Sequence, residues 1–189
     1  MRRGILGGTF DPPHVAHLIA GEVAYRDLHL DIVTFVPAGS PWQKADRRVT
    51  DADHRWQMTC RAVEGVDYFE ADEREVRRDG WTYTADTLAE FDPQDDLVLI
   101  LGADAARGIQ SWQRWQYVLS RAHVAVAPRP GVDRAEVEAA IPVAFTWLDV
   151  PLLLLSGTTI RARAEAGKTV RFMVADSVWE YLEVNDVYG

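Results

Sequence analysis

From Leu97 to Leu101 the chain carries five consecutive large apolar side chains, LVLIL, without a polar residue among them. Side chains alternate between the two faces of a strand, so a strand of this composition must be covered on both sides. A parallel sheet sandwiched between helices provides that cover, and the rest of the chain supplies the parts. RGILG at 3–7 reads as a short buried strand ending in glycine, GTFDPP as a turn, and HVAHLIAGEVAYRDL as a helix with an apolar stripe. DIVTFVP reads as a second strand ending at Pro37, followed by a long polar loop through residue 53 and the helical stretch WQMTCRAVEG. VDYFEAD, the helical TADTLAEF, AHVAVAPRPG, a weak helical piece and FTWLD continue the alternation. Strands separated by helical lengths rather than hairpin turns specify a single doubly wound, mainly parallel α/β sheet with helices on both sides. After Thr158, IRARAEAG and SVWEYLEV form a C-terminal helical segment, with Gly167 as a stop between them.

With 189 residues, the chain has room for one full core, and one domain over 1–189 is expected. A formal charge of −9 argues against a nucleic-acid polymer as partner, because such binding needs a basic footprint. A small phosphorylated ligand is still compatible, since arginines such as Arg55, Arg129 and Arg161 can build a local positive cleft. Cys60 is the only cysteine, which excludes an intrachain disulfide and fits a reducing compartment. The start of the chain has no apolar stretch suited to a signal peptide, and Val150–Leu155 is short and broken by Pro151. The expectation is a cytoplasmic protein without a membrane partner; self-association into a homo-oligomer is left open.

The run Gly7, Gly8, Thr9, Phe10, Asp11, Pro12, Pro13, His14, Val15, Ala16, His17 carries the sharpest chemical signal. Two glycines at a strand end let the backbone approach a ligand, and the following helix start offers unpaired N–H groups to phosphate. It has neither the GxGxxG spacing nor the lysine of a Walker A loop. His14 and His17, three positions apart, share one side of a first helical turn and can donate to charge developing on a transferred phosphoryl group. The structural alternative is a histidine pair that caps the helix or touches a carboxylate. Asp11, His14 and His17 are also zinc-ligand types, but the pair lacks the spacing and the glutamate of HExxH, and no resident metal is expected.

GGTFDPPHVAH resembles the signature of the nucleotidyltransferase superfamily. With PAGSPWQK at 37–44, TYTADTL at 82–88, LGAD at 101–104, SWQRW at 111–115, PRPG at 128–131 and SGTTIR at 156–161, nearly the whole chain resembles the bacterial nicotinate-nucleotide adenylyltransferases. That resemblance implies a Rossmann-like fold, ATP as co-substrate with Mg2+ held mainly through phosphates and water, and nicotinate mononucleotide as the acceptor. It implies that Gly8, Thr9 and Phe10 hold phosphate through their backbone, that His14 and His17 bind the triphosphate, and that Gly102 and Asp104 meet the ribose and adenine. Ser156, Thr158 and Arg161 match a second phosphate and adenine motif, so that residues 156–189 would complete the ATP site. Lys44 resembles a basic residue that approaches the phosphates as its loop closes. Tyr83 and Thr84 would receive the substrate carboxylate on backbone amides, and Trp112 would stack on the pyridine ring.

Each of these has a plainer reading: Asp104 and Ser156 or Thr158 as helix caps, Arg161 as a surface cation, Trp112 and Trp115 as core. Three positions depart from the family pattern: Ala16 stands in place of the glycine of HxGH, Gly157 at a common serine position, and Ala175 in place of a frequent proline. A transferase acting on another phosphorylated acceptor, such as pantetheine phosphate, is the nearest alternative, and a noncatalytic nucleotide sensor the alternative of a different class.

Overall fold

A computed structural model of the chain describes residues 1–41 and 49–189. In chain order the first elements are β1 (Arg2–Gly8), α1 (Val15–Asp27), β2 (Ile32–Pro37), β3 (Ser40–Pro41), α2 (Ala52–Val63), β4 (Phe69–Ala71), β5 (Trp81–Thr82) and α3 (Thr84–Ala89). They are followed by β6 (Asp96–Gly102), α4 (Ala103–Arg107), α5 (Trp115–Arg121), β7 (Ala122–Ala127), α6 (Arg134–Ala140), β8 (Phe145–Trp147), α7 (Gly157–Glu165) and α8 (Asp176–Asn185). Six strands make one sheet in the order β4-β2-β1-β6-β7-β8, and every pair in it is parallel. Its centre lies between β1 and β6, where the winding reverses, as in a Rossmann sheet.

β6 behaves as its composition demands. Leu97, Leu99 and Leu101 pack on one face with Leu88, Ala106, Val118 and Val137 of the helices α3 to α6. Val98 and Ile100 pack on the other with Ala20 and Ala24 of α1. All five residues are buried, each contributing roughly 2 kcal/mol of transfer free energy. Because α1 and α4 leave the sheet on opposite faces, the ends of β1 at Gly8 and β6 at Gly102 open into a crevice. The C-terminal helices do not cover the sheet. Ile160 of α7 and Val178 and Leu182 of α8 form a separate small core with Met58 and Ala62 of α2. Gly167, at φ +66°, follows α7 and ends it in the left-handed conformation that glycine adopts without penalty.

Two elements differ from the sequence expectation. Helix α2 starts at Ala52 rather than near Trp56, capped by Asp51, whose side chain accepts from the Asp53 amide at 2.9 Å. Its first turn is polar and shows no apolar period, so the pattern hides it, although the cap residue signals it. Ser40–Pro41 and Trp81–Thr82 pair as a second, two-stranded sheet, too short for any periodicity to reveal. The rest of the expected 40–53 loop is partly tied down, since Thr50 donates its amide to Asp11 at 3.2 Å; residues 42–48, Lys44 among them, lie outside the described residues.

Arg55, on the first turn of α2, is 1% exposed. Its guanidinium donates to the carbonyls of Thr50 at 2.8 Å, Thr9 at 2.9 Å and Gly39 at 2.7 Å, and also to that of Ala38. Three loops thus converge on one side chain. Replacing Arg55 by Met strands four buried carbonyls, and the expected loss of stability is about 3 kcal/mol, read from the urea midpoint. A loss below about 1 kcal/mol would mean that these carbonyls find other donors.

Candidate active site

The crevice at the carboxyl ends of β1 and β6 holds a cavity of about 550 Å³. One part of its wall carries Gly8, Thr9, His14 and His17, another Thr82, Tyr83, Thr84 and Trp112, and Gly102, Asp104 and Arg129 line it as well. Residues read from separate stretches of sequence therefore meet in one place. Phe10 does not line the cavity. Its backbone is left-handed at φ +49°, a conformation costing an L residue roughly 1–2 kcal/mol, and burial of its ring holds it there. The ring stands edge-on to His17, with centroids 5.0 Å apart, and lies so close over Gly8 that a Cβ there would be 2.9 Å from it. Glycine at position 8 is thus required by the loop as well as suited to a ligand.

The two histidines stack, with ring centroids 3.7 Å apart and planes 21° from parallel. His14 is 3% exposed, and burial, with the positive field of Arg129 adding to it, lowers its pKa from 6.5 to about 4. It is neutral at physiological pH, and its buried Nδ1 has no hydrogen-bond partner among the described residues. His17 Nδ1 accepts the His14 amide at 3.1 Å, which puts the His17 ring proton on Nε2. The structural reading of the pair is partly realised, since His14 occupies the cap position of α1. A buried, unpaired imidazole nitrogen beside a strand-end glycine loop is nevertheless an open site for a polar ligand.

Arg129 ion-pairs with Asp104 at 3.1 Å and donates to the Leu155 carbonyl at 3.2 Å. Asp104 also sits close to Gly102, where a Cβ would approach Oδ1 to 2.8 Å. Trp112 lines the cavity and packs against the main core, as its structural reading has it. Ser156, Thr158 and Arg161 are not in the cavity wall. Ser156 caps α7 by accepting from the Thr159 amide at 3.1 Å. Arg161 donates to the Asp11 carbonyl at 2.6 Å and to Thr158 Oγ1 at 3.4 Å, which sets it behind the phosphate loop. Of the departures, Ala16 lies in the cavity wall, and Ala175 occupies the cap position of α8. Gly157 is fixed by contact: a Cβ there would come within 2.6 Å of the Asp11 carbonyl oxygen.

For four residues around the site the sequence shows no partners, although Arg55 and Arg129 are among the arginines able to build a positive cleft. Arg129 falls inside the PRPG motif, but only the fold shows its partners. Arg55 and Glu75 give no sign of being buried among polar residues. Tyr188, whose hydroxyl donates to Asp11 Oδ1 at 2.8 Å, is 177 positions from its partner. Burial, and then the Asp11 carboxylate, push the Tyr188 phenol far above its ordinary pKa and keep it a donor.

A parallel sheet of this order, with a phosphate-type loop after its first strand and paired histidines at the next helix, defines a nucleotidyltransferase-type α/β protein. Residues 5–163 match the cytidylyltransferase-like family model, and the chain belongs to that family. It is 41% identical over 197 residues to a probable nicotinate-nucleotide adenylyltransferase of Desulfitobacterium hafniense (strain Y51), covering 99% of this chain and 95% of that protein. It is 38% identical over 198 residues to a probable nicotinate-nucleotide adenylyltransferase of Moorella thermoacetica, covering 99% and 91%. In fold it is similar to the Plasmodium falciparum nicotinic acid mononucleotide adenylyltransferase complexed with NaAD, with a TM-score of 0.80, 17% identity, and 99% and 97% of the two chains covered.

The depressed pKa of His14 has a consequence for stability. Between about 4 and 6.5 the unfolded chain binds a proton on this side chain that the folded chain does not, so stability is full above pH 6.5 and falls as pH drops toward 4. The contribution is at most about 3 kcal/mol. His14→Asn should therefore flatten the pH dependence of the urea midpoint between about pH 7 and about pH 4.5. Parallel curves for wild type and variant would show that His14 is protonated in the folded chain.

Proposed function

We propose that this chain transfers the adenylyl group of ATP to nicotinate mononucleotide, releasing pyrophosphate and forming deamido-NAD. The observation that carries the reading is the single cavity shared by the Gly8–His17 wall and the Tyr83–Thr84–Trp112 wall, which offers a triphosphate side and an aromatic side to two nucleotides at once. The chain's full-length likeness to proteins named for this activity supports it. A phosphate oxygen of nicotinate mononucleotide attacks the α-phosphorus of ATP in line; the bond from that phosphorus to the bridging oxygen breaks, and pyrophosphate leaves. No protein nucleophile takes part, so the residues align the reactants and stabilise charge.

In this reading His17 donates through Nε2 to the transferred phosphoryl group, and His14, brought beside a bound triphosphate, contributes a second donor. The amides of Gly8, Thr9 and Phe10 hold phosphate, and Gly102 and Asp104 receive the nucleoside, Asp104 exchanging part of its pairing with Arg129 for a hydroxyl. Ser156, Thr158 and Arg161 complete the ATP site from behind the loop, the role we assign to the segment 156–189, and Lys44 reaches the leaving phosphates. In this reading Mg2+ enters with ATP, and phosphate and water oxygens supply most of its ligands. Among the described residues no helix is long and apolar enough to cross a membrane.

The test is steady-state kinetics with nicotinate mononucleotide and with its amide analogue, each at saturating ATP and magnesium. Amide donors near Tyr83 and Thr84 pair with a carboxylate but face another donor in the amide, and one unpaired buried donor costs about 1–3 kcal/mol. Catalytic efficiency should favour the acid by about tenfold to hundredfold. Equal efficiencies would remove the acid specificity and leave nucleotidyl transfer standing; no pyrophosphate from either substrate would favour another acceptor or a nucleotide sensor. His17→Ala should lower kcat by about a hundredfold or more while the folded structure persists, and an unchanged kcat would exclude His17 as a donor in the transition state.

A further inference from the structure

Glu75 is a buried acid in the wall of the cavity, on its acceptor side, and the mechanism above does not use it. Its surroundings are specific. Its main-chain carbonyl presses on Gly39, where a Cβ would lie 2.0 Å away, and Gly39 is itself held by Arg55. Its carboxyl accepts from the Thr87 hydroxyl and lies within reach of the Thr82 hydroxyl, which it shares with the Ser40 carbonyl at 3.4 Å. Arg78 Nη1 donates to the same Thr87 hydroxyl at 3.1 Å. A hydroxyl has one proton, and an arginine can only donate; of the two acceptors of the Thr87 proton, Glu75 and the Tyr83 carbonyl at 3.4 Å, Glu75 is the nearer. Thr82 ends β5 and Thr87 lies on α3, and between them stand Tyr83 and Thr84. Glu75 therefore ties together both flanks of the turn that faces the acceptor. Burial pushes its carboxyl above the ordinary range, with the Thr87 bond and the Arg78 guanidinium opposing that shift.

We propose that Glu75 is the positioning residue for the acceptor's acidic group: by bridging Thr82 and Thr87 it fixes the Tyr83–Thr84 turn, and so sets the discrimination between acid and amide substrates. The inference rests on the proposed adenylyl transfer to nicotinate mononucleotide. A residue that acts only on this turn should leave the ATP side, some way across the cavity on the Gly8–His17 loop, unaffected.

The experiment compares wild type, Glu75→Ala, Glu75→Gln and Thr87→Val with three readouts: the acid-to-amide ratio of kcat/KM, KM for ATP, and thermal midpoint. In Glu75→Ala the ratio should fall by about tenfold or more, through KM for nicotinate mononucleotide, with KM for ATP within about twofold of wild type. Glu75→Gln keeps an oxygen of nearly the same reach to accept from Thr87, and should recover most of the ratio. Thr87→Val removes the second partner without touching Glu75, and should lower the ratio in the same direction even if the alanine variant fails to fold. A wild type that prefers the acid, with folded Ala and Val variants that keep its ratio, would overturn the role of Glu75 alone. Equal losses for both acceptors and for ATP would also overturn it, because they describe general loosening. A wild type that does not use nicotinate mononucleotide would overturn the underlying reading and this proposal with it.

Discussion

The buried guanidinium of Arg55 is the interaction on which the site's shape depends. The phosphate loop contains a left-handed Phe10 and presents its carbonyls inward, so its backbone needs donors from outside the loop. Arg55 supplies one to Thr9 and, through the same planar group, holds Ala38 and Gly39 at the end of β2 and Thr50 ahead of its own helix. A lysine could not do this, because its ammonium lacks a fork that reaches four carbonyls in fixed directions. Burial lowers the pKa of Arg55, and the nearby Asp11 and Asp51 carboxylates oppose that shift. An arginine still remains charged, so the cost of its desolvation is met by those bonds and fields.

Asp11 is the second centre, and it connects the loop to the far end of the chain. Its carboxylate accepts from Thr50 and from Tyr188, and its carbonyl accepts from Arg161. The helices α7 and α8 are thereby linked to the Gly8–His17 loop without lining the cavity, and they share a core with α2. On the acceptor side Glu75 leans on Gly39, so the Arg55 cluster reaches both walls. The histidines stack within this arrangement, and His14 is buried and neutral.

The sheet was legible because its signal is local. LVLIL at the centre and glycine at the ends of β1 and β6 state burial and direction within a few residues, and a parallel doubly wound sheet is what such segments can build together. The phosphate loop, the histidine pair, Trp112 and the Tyr83–Thr84 turn were legible as a motif series, and they meet in one cavity. The start of α2 and the β3–β5 pair were not, since a polar first turn and two-residue strands leave no period to count. The partners of Arg55, Arg129, Glu75 and Tyr188 were hidden for a different reason. A charged or phenolic side chain reads as surface until the fold supplies its partners, and those partners stand between 5 and 177 positions away, from the Thr50 carbonyl held by Arg55 to the Asp11 carboxylate held by Tyr188.

The departures from the family pattern follow the same geometry. At position 157 a serine would bring its Cβ within 2.6 Å of the Asp11 carbonyl oxygen, and 3.2 Å from the Arg161 guanidinium that donates to it. Backbone cannot yield to that contact cheaply, so glycine here permits the start of α7 to sit against the phosphate loop and lets Arg161 reach Asp11 at 2.6 Å. The hydroxyl that is lost is offset in position, since Ser156 and Thr159 bond to each other at 2.9 Å one turn along the same helix start. Ala16 works in the opposite direction, adding a methyl to the cavity wall on the first turn of α1, where alanine stabilises the helix by up to about 1 kcal/mol over glycine. One change draws the C-terminal helices closer to the loop from behind, and the other stiffens the helix that carries His17 in front. Both act on the backbone that holds the histidines, and neither removes a group that the proposed transfer needs.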